Sequence, residues 1–250
     1  MSAALELSEQ SRLASDGALA TAWLAAFERA LAAHDAGAVA RLFQADSHWR
    51  DLVAFTWHIR TANGASTLAR DLVAFQAGTR AREFRLAPHR APPRRVRRLG
   101  RELIEALFDF VTALGRGSGV LRLVPDDSAP GQVRAWVLHT TLQELAGFEE
   151  RVGERRPTGE AYSRNFGGEN WLDQRRRLAA YAEREPAVLV VGGGQAGLGV
   201  AARLGQLGVD TLVVDKHPRI GDNWRTRYHS LALHNGIKSN HLPYLPFPPT

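Results

Sequence analysis

Six residues in the C-terminal part of the sequence could bind a diphosphate: Gly192-Gly193-Gly194-Gln195-Ala196-Gly197. They satisfy the pattern G-x-G-x-x-G. In that pattern the first glycine permits a sharp turn, the second leaves room beside a phosphate, and the third lets a helix approach a sheet. The free N–H groups at the start of the helix, together with the positive end of its dipole, would then stabilise the phosphate charge. The alternative is a glycine turn with a purely structural purpose, because the pattern alone is common.

The residues on either side of this motif predict the elements that position it. A continuous apolar run, Ala187 to Val191, indicates a buried strand, and a helix is expected from Gln195 to Leu207. A second apolar strand, Thr211 to Val214, completes a unit that is typical of parallel sheets. Asp215 follows at nearly the usual spacing of ~20 residues for a carboxylate that accepts hydrogen bonds from ribose hydroxyls. Because this carboxylate would repel a 2′-phosphate, the site favours FAD or NAD over NADP.

Three segments beyond Asp215 resemble flavin-dependent monooxygenases of the flavin-containing and Baeyer–Villiger kind: Gly221-Asp222-Asn223-Trp224-Arg225, Ser230 to Gly236, and His241 to Pro248. The resemblance implies that the glycine motif holds FAD and that Trp224 packs near the flavin. It also implies that Asn223 and Arg225 help to hold the flavin. The alternative for Trp224, taken alone, is a place in an apolar core.

Asn235 is the candidate catalytic residue. It resembles a position that, in bacterial members of that family, faces the reactive edge of the flavin. An amide there can donate a hydrogen bond to the oxygen-bearing flavin and accept one from the nicotinamide cofactor. The alternative is an ordinary turn, since Asn-Gly is a common turn dipeptide.

The resemblance implies an FAD- and NADPH-dependent monooxygenase. Hydride reduces the flavin, oxygen reacts with it, and one oxygen atom passes to a nitrogen, sulfur or carbonyl carbon of a small organic substrate. We expect the NADPH site to lie outside these 250 residues and the chain alone to have no turnover. Two alternatives stay open. An NAD-dependent dehydrogenase shares the glycine motif but does not explain Gly221 to Arg225. A non-catalytic small-molecule-binding or dimerisation module would carry a vestigial dinucleotide-binding tail.

The N-terminal part of the sequence changes its apolar period from helical to alternating. Helices are predicted from Leu19 to His34 with Asp16 as the cap, from Asp35 onward, and after Ala62-Asn63-Gly64. Strands are predicted in three stretches, with a turn at Gly115 to Gly119 before the second: 104–114, 120–124 and 133–142. The fold class predicted is therefore an α+β cone-like domain, with helices on a curved antiparallel sheet, followed by the start of an α/β Rossmann-like FAD-binding domain.

The first 150 residues also resemble the nuclear transport factor 2 or SnoaL-like cone domain, on the segments His48-Trp49-Arg50-Asp51 and Phe55-Thr56-Trp57. We expect this domain at 1–150, a connector at 151–186 and the incomplete FAD-binding domain at 187–250. Cone pockets can host acid–base pairs, so Asp51 with His48 or His58 is a conceivable site, the alternative being a structural role. The domain is assigned to homodimerisation or to substrate shielding.

The composition is that of an ordinary globular protein, with 44% hydrophobic and 23% charged residues. Cysteine is absent, which excludes a thiolate zinc site and a cysteine nucleophile, and no metal site is predicted. The net charge is +6, with basic clusters at Arg94 to Arg98 and Arg175 to Arg177. Because neither cluster contains interleaved aromatics, we interpret them as solvated loops or helix faces and expect no nucleic-acid partner. With no secretory signal or membrane span predicted, we expect a cytoplasmic protein.

Overall fold

The computed structural model describes residues 2–156, 167–230, 232 and 234–248. The chain divides into two compact units, Met1–Gly147 and Phe148–Thr250. The elements of the N-terminal unit are, in chain order, α1 (Ser2–Ala32), α2 (Ala36–Arg41), β1 (Phe43–Leu52), β2 (Ile59–Asn63), α3 (Ala65–Thr79), β3 (Arg82–Leu86), β4 (Arg94–Arg98), β5 (Arg101–Val111), β6 (Gly115–Pro125) and β7 (Val133–Leu145).

Within the described part of this unit, seven strands form one sheet in the order β2-β1-β7-β6-β5-β3, with β4 also paired to β5. Register shifts in the β3–β5 and β6–β7 pairs mark irregularities that bend the sheet. The predicted α+β class is confirmed. The sheet is not wholly antiparallel, however, because β1 and β7 pair in parallel.

The helix and strand predictions hold best where the pattern is local. Asp35 caps α2 as predicted, with its carboxylate accepting a hydrogen bond from the Ala38 N–H at 2.8 Å. The prediction that Asp16 begins a helix is wrong, because α1 runs through it. Asp16 is instead buried and accepts hydrogen bonds from the Arg95 guanidinium at 3.0–3.2 Å. The partner lies 79 positions away in the sequence, so no local pattern reveals it.

The predicted turn at Gly115 to Gly119 is also wrong, because these residues open strand β6. Their lack of side chains serves packing within the sheet. A Cβ at Gly117 would lie 2.3 Å from the ring of Phe110, and one at Gly119 would lie 2.2 Å from the ring of Phe108. The rings therefore fill the space over these glycines, and both are fully buried in the core.

Arg94 to Arg98 form strand β4 rather than a loop or helix face. The strand pairs with β5 on one side, and no other strand among the described residues pairs with it. Charged side chains at a sheet edge oppose further strand addition. Several of these arginines also meet carboxylates: Arg94 and Arg98 approach Glu105, and Arg95 approaches Asp16.

The C-terminal unit contains a smaller set of elements: α4 (Trp171–Ala180), β8 (Val188–Val191), α5 (Gln195–Gln206), β9 (Thr211–Val214) and α6 (Asp222–Arg225). Strands β8 and β9 pair in parallel, with Val188 opposite Thr211 and Val191 opposite Val214. The predicted strand, helix, strand order is thus present. No helix within the described ranges has the length and apolarity needed to cross a bilayer.

Candidate functional site

The glycine motif occupies the bend between β8 and α5. The Gly192 N–H donates to the Val214 carbonyl at 2.7 Å, which extends the β8–β9 pairing by one residue. Gly192 then takes φ +109°, a conformation that L side chains rarely adopt. Gly194 is the N-cap of α5. The chain therefore turns from strand to helix within three residues, as a diphosphate-binding bend requires.

The other glycines differ in what surrounds them. A Cβ at Gly197 would lie 1.9 Å from the Gly192 carbonyl oxygen, so α5 can pack against the bend only with glycine there. A Cβ at Gly194 would meet nothing closer than the Asn223 Nδ2 atom at 3.7 Å, which is an ordinary van der Waals distance. The fold therefore needs Gly197 but leaves the space beside Gly194 open.

The start of α5 offers backbone donors to that open space. Gly194 has no side chain to cap the helix, and no side-chain cap bond is made there among the described residues. The N–H groups of a first helical turn lack intrahelical partners and carry the positive end of the helix dipole. An anion can accept hydrogen bonds from such a terminus.

Asp215 closes the other side of the bend. One carboxylate oxygen accepts the Gly193 N–H at 2.7 Å and the other accepts the His217 N–H at 2.7 Å. These hydrogen bonds, from His217 and then Gly193, lower the pKa of the Asp215 carboxyl below its usual range. The carboxylate thus lies beside the glycine motif, where the sequence predicts a ribose-binding acid.

The replacement Asp215→Asn is expected to lower the unfolding midpoint of the protein at neutral pH, because an amide accepts the two N–H groups less strongly. The folded pKa is depressed, so the stabilisation is fully present above the unfolded value of ~3.9 and is lost as the pH falls through the folded value. Thermal unfolding of both proteins at steps from neutral to about pH 3 should show their difference shrinking toward acid. The exposed Glu185→Gln is the control, and a pH-independent difference would contradict this account.

The segment after β9 folds around Asp222, and the sequence pattern alone does not reveal that this carboxylate is buried. This carboxylate is buried and accepts a hydrogen bond from Arg225 at 2.7 Å, with Arg219 at 3.3 Å. The Arg225 guanidinium also donates to the Ile220 carbonyl at 3.0 Å. Hydrogen bonds from Arg225 and Arg219 lower the pKa of Asp222. In this arrangement Arg225 holds the loop that follows Ile220, and its predicted contact with a flavin stays a prediction.

Trp224 does not lie in an apolar core. Its side chain is 40% exposed, and the Arg227 guanidinium lies 5.1 Å from the centre of its ring. The alternative of a core aromatic is therefore wrong. Trp224 instead borders a cavity of about 390 Å³, which lies between the glycine bend, the α6 region and the segment after Ser239. The residues that line this cavity are Gly193, Gly194, Gln195, Leu198, Ile220, Gly221, Asn223, Trp224, Asn240, Leu242 and Phe247. This volume lies within the ~300–1,000 Å³ of small-molecule sites.

A further cluster supports the wall of this cavity. The Glu150 carboxylate accepts hydrogen bonds from the Tyr244 hydroxyl and from Arg203, both at 2.5 Å. Arg203 lies 5.0 Å from the centre of the Tyr244 ring. Glu150 raises the pKa of Arg203, while burial and then Glu150 raise that of Tyr244. Tyr244 has φ +62° and lies in the short turn that pairs Leu242 with Leu245.

The structure does not bring every predicted residue into the cavity. Ala196 and Gly197 lie in the first turn of α5 but are not among the lining residues. The lining also does not include Gly192, Asp215 or Arg225. Asn235 is not among the lining residues either, and its described contact is a backbone one, in which its carbonyl accepts the Asn240 amide at 3.4 Å. Its catalytic role stays a prediction. Leu231 and Leu233, in the resembling segment Ser230 to Gly236, lie outside the described residues.

Comparison with known families supports the geometry of this unit. Residues 190–245 match the family described as NAD(P)-binding Rossmann-like domain. The C-terminal unit therefore contains a Rossmann-like β8-α5-β9 unit, as predicted. Among curated proteins, a 64-residue segment is 41% identical to indole-3-pyruvate monooxygenase YUCCA1 of Oryza sativa subsp. japonica. That match covers 25% of this chain and 16% of that protein, so the chain corresponds to a small part of it.

Solved structures match over the N-terminal half. A protein of cystatin-like fold from Novosphingobium aromaticivorans, described as ntf2-like, has a TM-score of 0.37 and 15% identity, covering 55% of this chain and 88% of that one. A protein of unknown function with a cystatin-like fold from Nostoc punctiforme has a TM-score of 0.34 and 15% identity, covering 56% and 92%.

The conceivable acid–base site of the N-terminal unit is not assembled. Asp51 is fully buried, and its oxygens accept hydrogen bonds from the Phe55 and Thr56 N–H groups and from the Thr56 and Thr140 hydroxyls at 2.7–3.3 Å. His48 is exposed and contacts the Asn63 side chain at 2.7 Å. His58 is exposed as well, and its described hydrogen bonds run through its backbone to Thr56 and Val53. Because Asp51 is held by the loop that follows it, the structural alternative is the one that its contacts support.

Proposed function

We propose that this chain is part of an FAD-dependent, NADPH-using monooxygenase that oxygenates a small organic substrate at nitrogen, sulfur or a carbonyl carbon. The observation that carries the proposal is the open space at Gly194, which faces an uncapped helix start. The preceding residue, Gly193, donates its N–H to the Asp215 carboxylate. A side chain at Gly194 would strain neither the backbone nor the packing, so the fold does not require glycine there and the space suits a ligand. The similarity to a flavin monooxygenase supports FAD as that ligand.

Different residues of this chain would bind different parts of the cofactor. The bend Gly192 to Gly197 and the first turn of α5, including Gln195 and Ala196, would hold the diphosphate. Asp215 would accept hydrogen bonds from the ribose hydroxyls, since a carboxylate is acceptor-only when ionised. Asn223, Trp224 and Arg225 would flank the flavin.

When bound, FAD supplies two-electron redox chemistry, coupling NADPH oxidation to transfer of one atom of O₂ to the substrate while the other leaves as water. The chain's own residues bind and orient this group and exclude water from it. The apolar wall formed by Leu198, Leu242 and Phe247 would shield it from solvent. Asn235 is proposed to supply an amide hydrogen bond at the reacting edge.

Titration of the purified 250-residue chain with FAD, followed by calorimetry and by quenching of flavin fluorescence, tests the proposal. We expect saturable FAD binding, weaker binding of NAD, and competition by ADP, which shares the diphosphate and ribose. Failure to bind FAD under conditions where the chain is folded would overturn the proposal. Binding of NAD in preference to FAD would favour a dehydrogenase instead.

A further inference from the structure

A second cavity, of about 290 Å³, lies within the N-terminal unit. It is bordered by the loop after β1, the end of α3, the β5–β6 turn and β7. Its apolar walls come chiefly from Trp57, Phe75, Leu114 and Leu142. It adjoins the aromatic core, because Phe55 borders it and lies 6.0 Å from the Phe110 ring, which in turn stacks on Phe84 at 5.1 Å.

The chemistry of the lining favours an uncharged occupant. Of the described residues, none with a charged side chain borders this cavity. Its two hydroxyl groups are already engaged, since Thr112 donates to the Gly115 carbonyl at 3.2 Å and Thr79 donates to the Phe55 carbonyl at 3.4 Å. A charged ligand would lose its hydration there, and the lining side chains offer it no opposite charge. The Arg60 guanidinium, 5.5 Å from the centre of the Phe75 ring, is already paired with Asp71.

Gly78 borders the cavity and is itself exposed. It lies in the last turn of α3, and a Cβ placed on it would meet no atom within 4 Å. Its φ is not in the left-handed region, so neither backbone conformation nor close packing requires glycine at this position. Glycine within a helix costs about 0.5–1 kcal/mol relative to alanine. The fold itself therefore does not require glycine at this border of the cavity.

Trp57 stands at the mouth of this cavity under unusual backbone constraint. Its side chain is 53% exposed, and both Trp57 and Val53 have φ +55°. Such conformations are uncommon for bulky residues and cost about 1–3 kcal/mol each. The buried Asp51 carboxylate holds the loop between them through the Phe55 and Thr56 N–H groups. The loop thus leaves the Trp57 indole partly exposed beside the cavity instead of burying it in the core.

From these four observations we infer that this cavity is a binding site for an uncharged, flat, aromatic-sized small molecule that packs against Trp57. Burial of apolar surface drives the binding, and the Trp57, Phe75 and Leu114 side chains supply the contact area. This inference does not rest on the proposed function.

Two matched fluorescent probes test this inference on the full chain. N-phenyl-1-naphthylamine is uncharged, whereas 8-anilinonaphthalene-1-sulfonate has the same rings and carries a sulfonate. We expect saturable binding of the uncharged probe at one per chain, at least tenfold tighter than that of the sulfonate. Gly78→Leu adds a branched side chain at the border of the cavity, and its Cβ meets no atom within 4 Å. This variant should weaken binding of the uncharged probe at least tenfold while leaving the melting temperature unchanged or higher.

The control is Gly17→Leu, because Gly17 also lies in a helix with open space around its Cβ but does not border the cavity. This variant should bind the probe as the wild type does. Trp57→Ala, at an exposed position, should weaken binding without unfolding the chain. The inference is overturned if Gly78→Leu and Trp57→Ala bind the uncharged probe normally, or if the sulfonate binds as tightly.

Discussion

Replacing Gly194 by alanine is expected to weaken FAD binding at least tenfold and to leave the melting temperature of the protein unchanged. The added Cβ has room in the folded chain, with its nearest neighbour at 3.7 Å, and the backbone at Gly194 has φ −79° and ψ −172°, which alanine adopts without strain. The same Cβ would occupy the space through which a diphosphate approaches the first turn of α5. Calorimetric titration with FAD and thermal unfolding, run on the same preparation, separate the two effects.

Gly197→Ala is the matched control, because it adds the same methyl group three residues away. Its Cβ would lie 1.9 Å from the Gly192 oxygen, so this variant should lose both stability and FAD binding. If Gly194→Ala bound FAD as tightly as the wild type, the bend would not be the diphosphate site. A fall in the melting temperature of Gly194→Ala would contradict the view that the space beside it is free.

The local character of the β8-α5-β9 unit explains why the sequence predicts it well. The bend, the helix and the second strand are neighbours in the chain, and each has its own apolar period or glycine requirement. The hydrogen bond from Gly193 to Asp215 joins a residue of the glycine motif to the acid that is expected at a fixed spacing after it. The fold of this unit and the position of its acid could therefore be predicted from spacing alone.

Features that depend on distant partners could not be predicted in this way. The Tyr244 hydroxyl meets Glu150 across 94 positions, and Asp16 meets Arg95 across 79. The pairing of β1 with β7 is likewise set by tertiary packing and not by a local pattern. The sequence around a charged residue does not show whether it has a distant partner. The burial of Asp16 and the contact of Glu150 with the cavity wall are therefore visible only in the structure.

The glycines at the start of β6 predict a turn from their composition, although they form a strand. A run of three glycines within five residues is typical of a turn, and nothing local distinguishes it from a strand. The distinction lies on the neighbouring strand, where Phe108 and Phe110 stand opposite Gly119 and Gly117 in the β5–β6 register. Large rings on one strand require small residues on the next, because interiors are close-packed.

This pairing predicts that Gly119→Ala lowers the free energy of unfolding by about 3 kcal/mol, which is the upper part of the usual range for overpacking a core. The new Cβ would lie 2.2 Å from both the His139 carbonyl oxygen and the Phe108 ring. The ring is fully buried among other aromatics, and the carbonyl belongs to the β7 backbone, so neither can move without breaking further contacts. Urea unfolding followed by near-ultraviolet circular dichroism measures the loss.

Gly78→Ala provides the comparison, because the same substitution at an open helical site should stabilise the protein by about 0.5–1 kcal/mol. Opposite signs for one chemical change would show that the space around each glycine decides the outcome. If Gly119→Ala unfolded at the same urea concentration as the wild type, the Phe108 ring would be able to adopt another position without loss of stability. The close packing of β5 on β6 could then no longer explain why this strand begins with glycines.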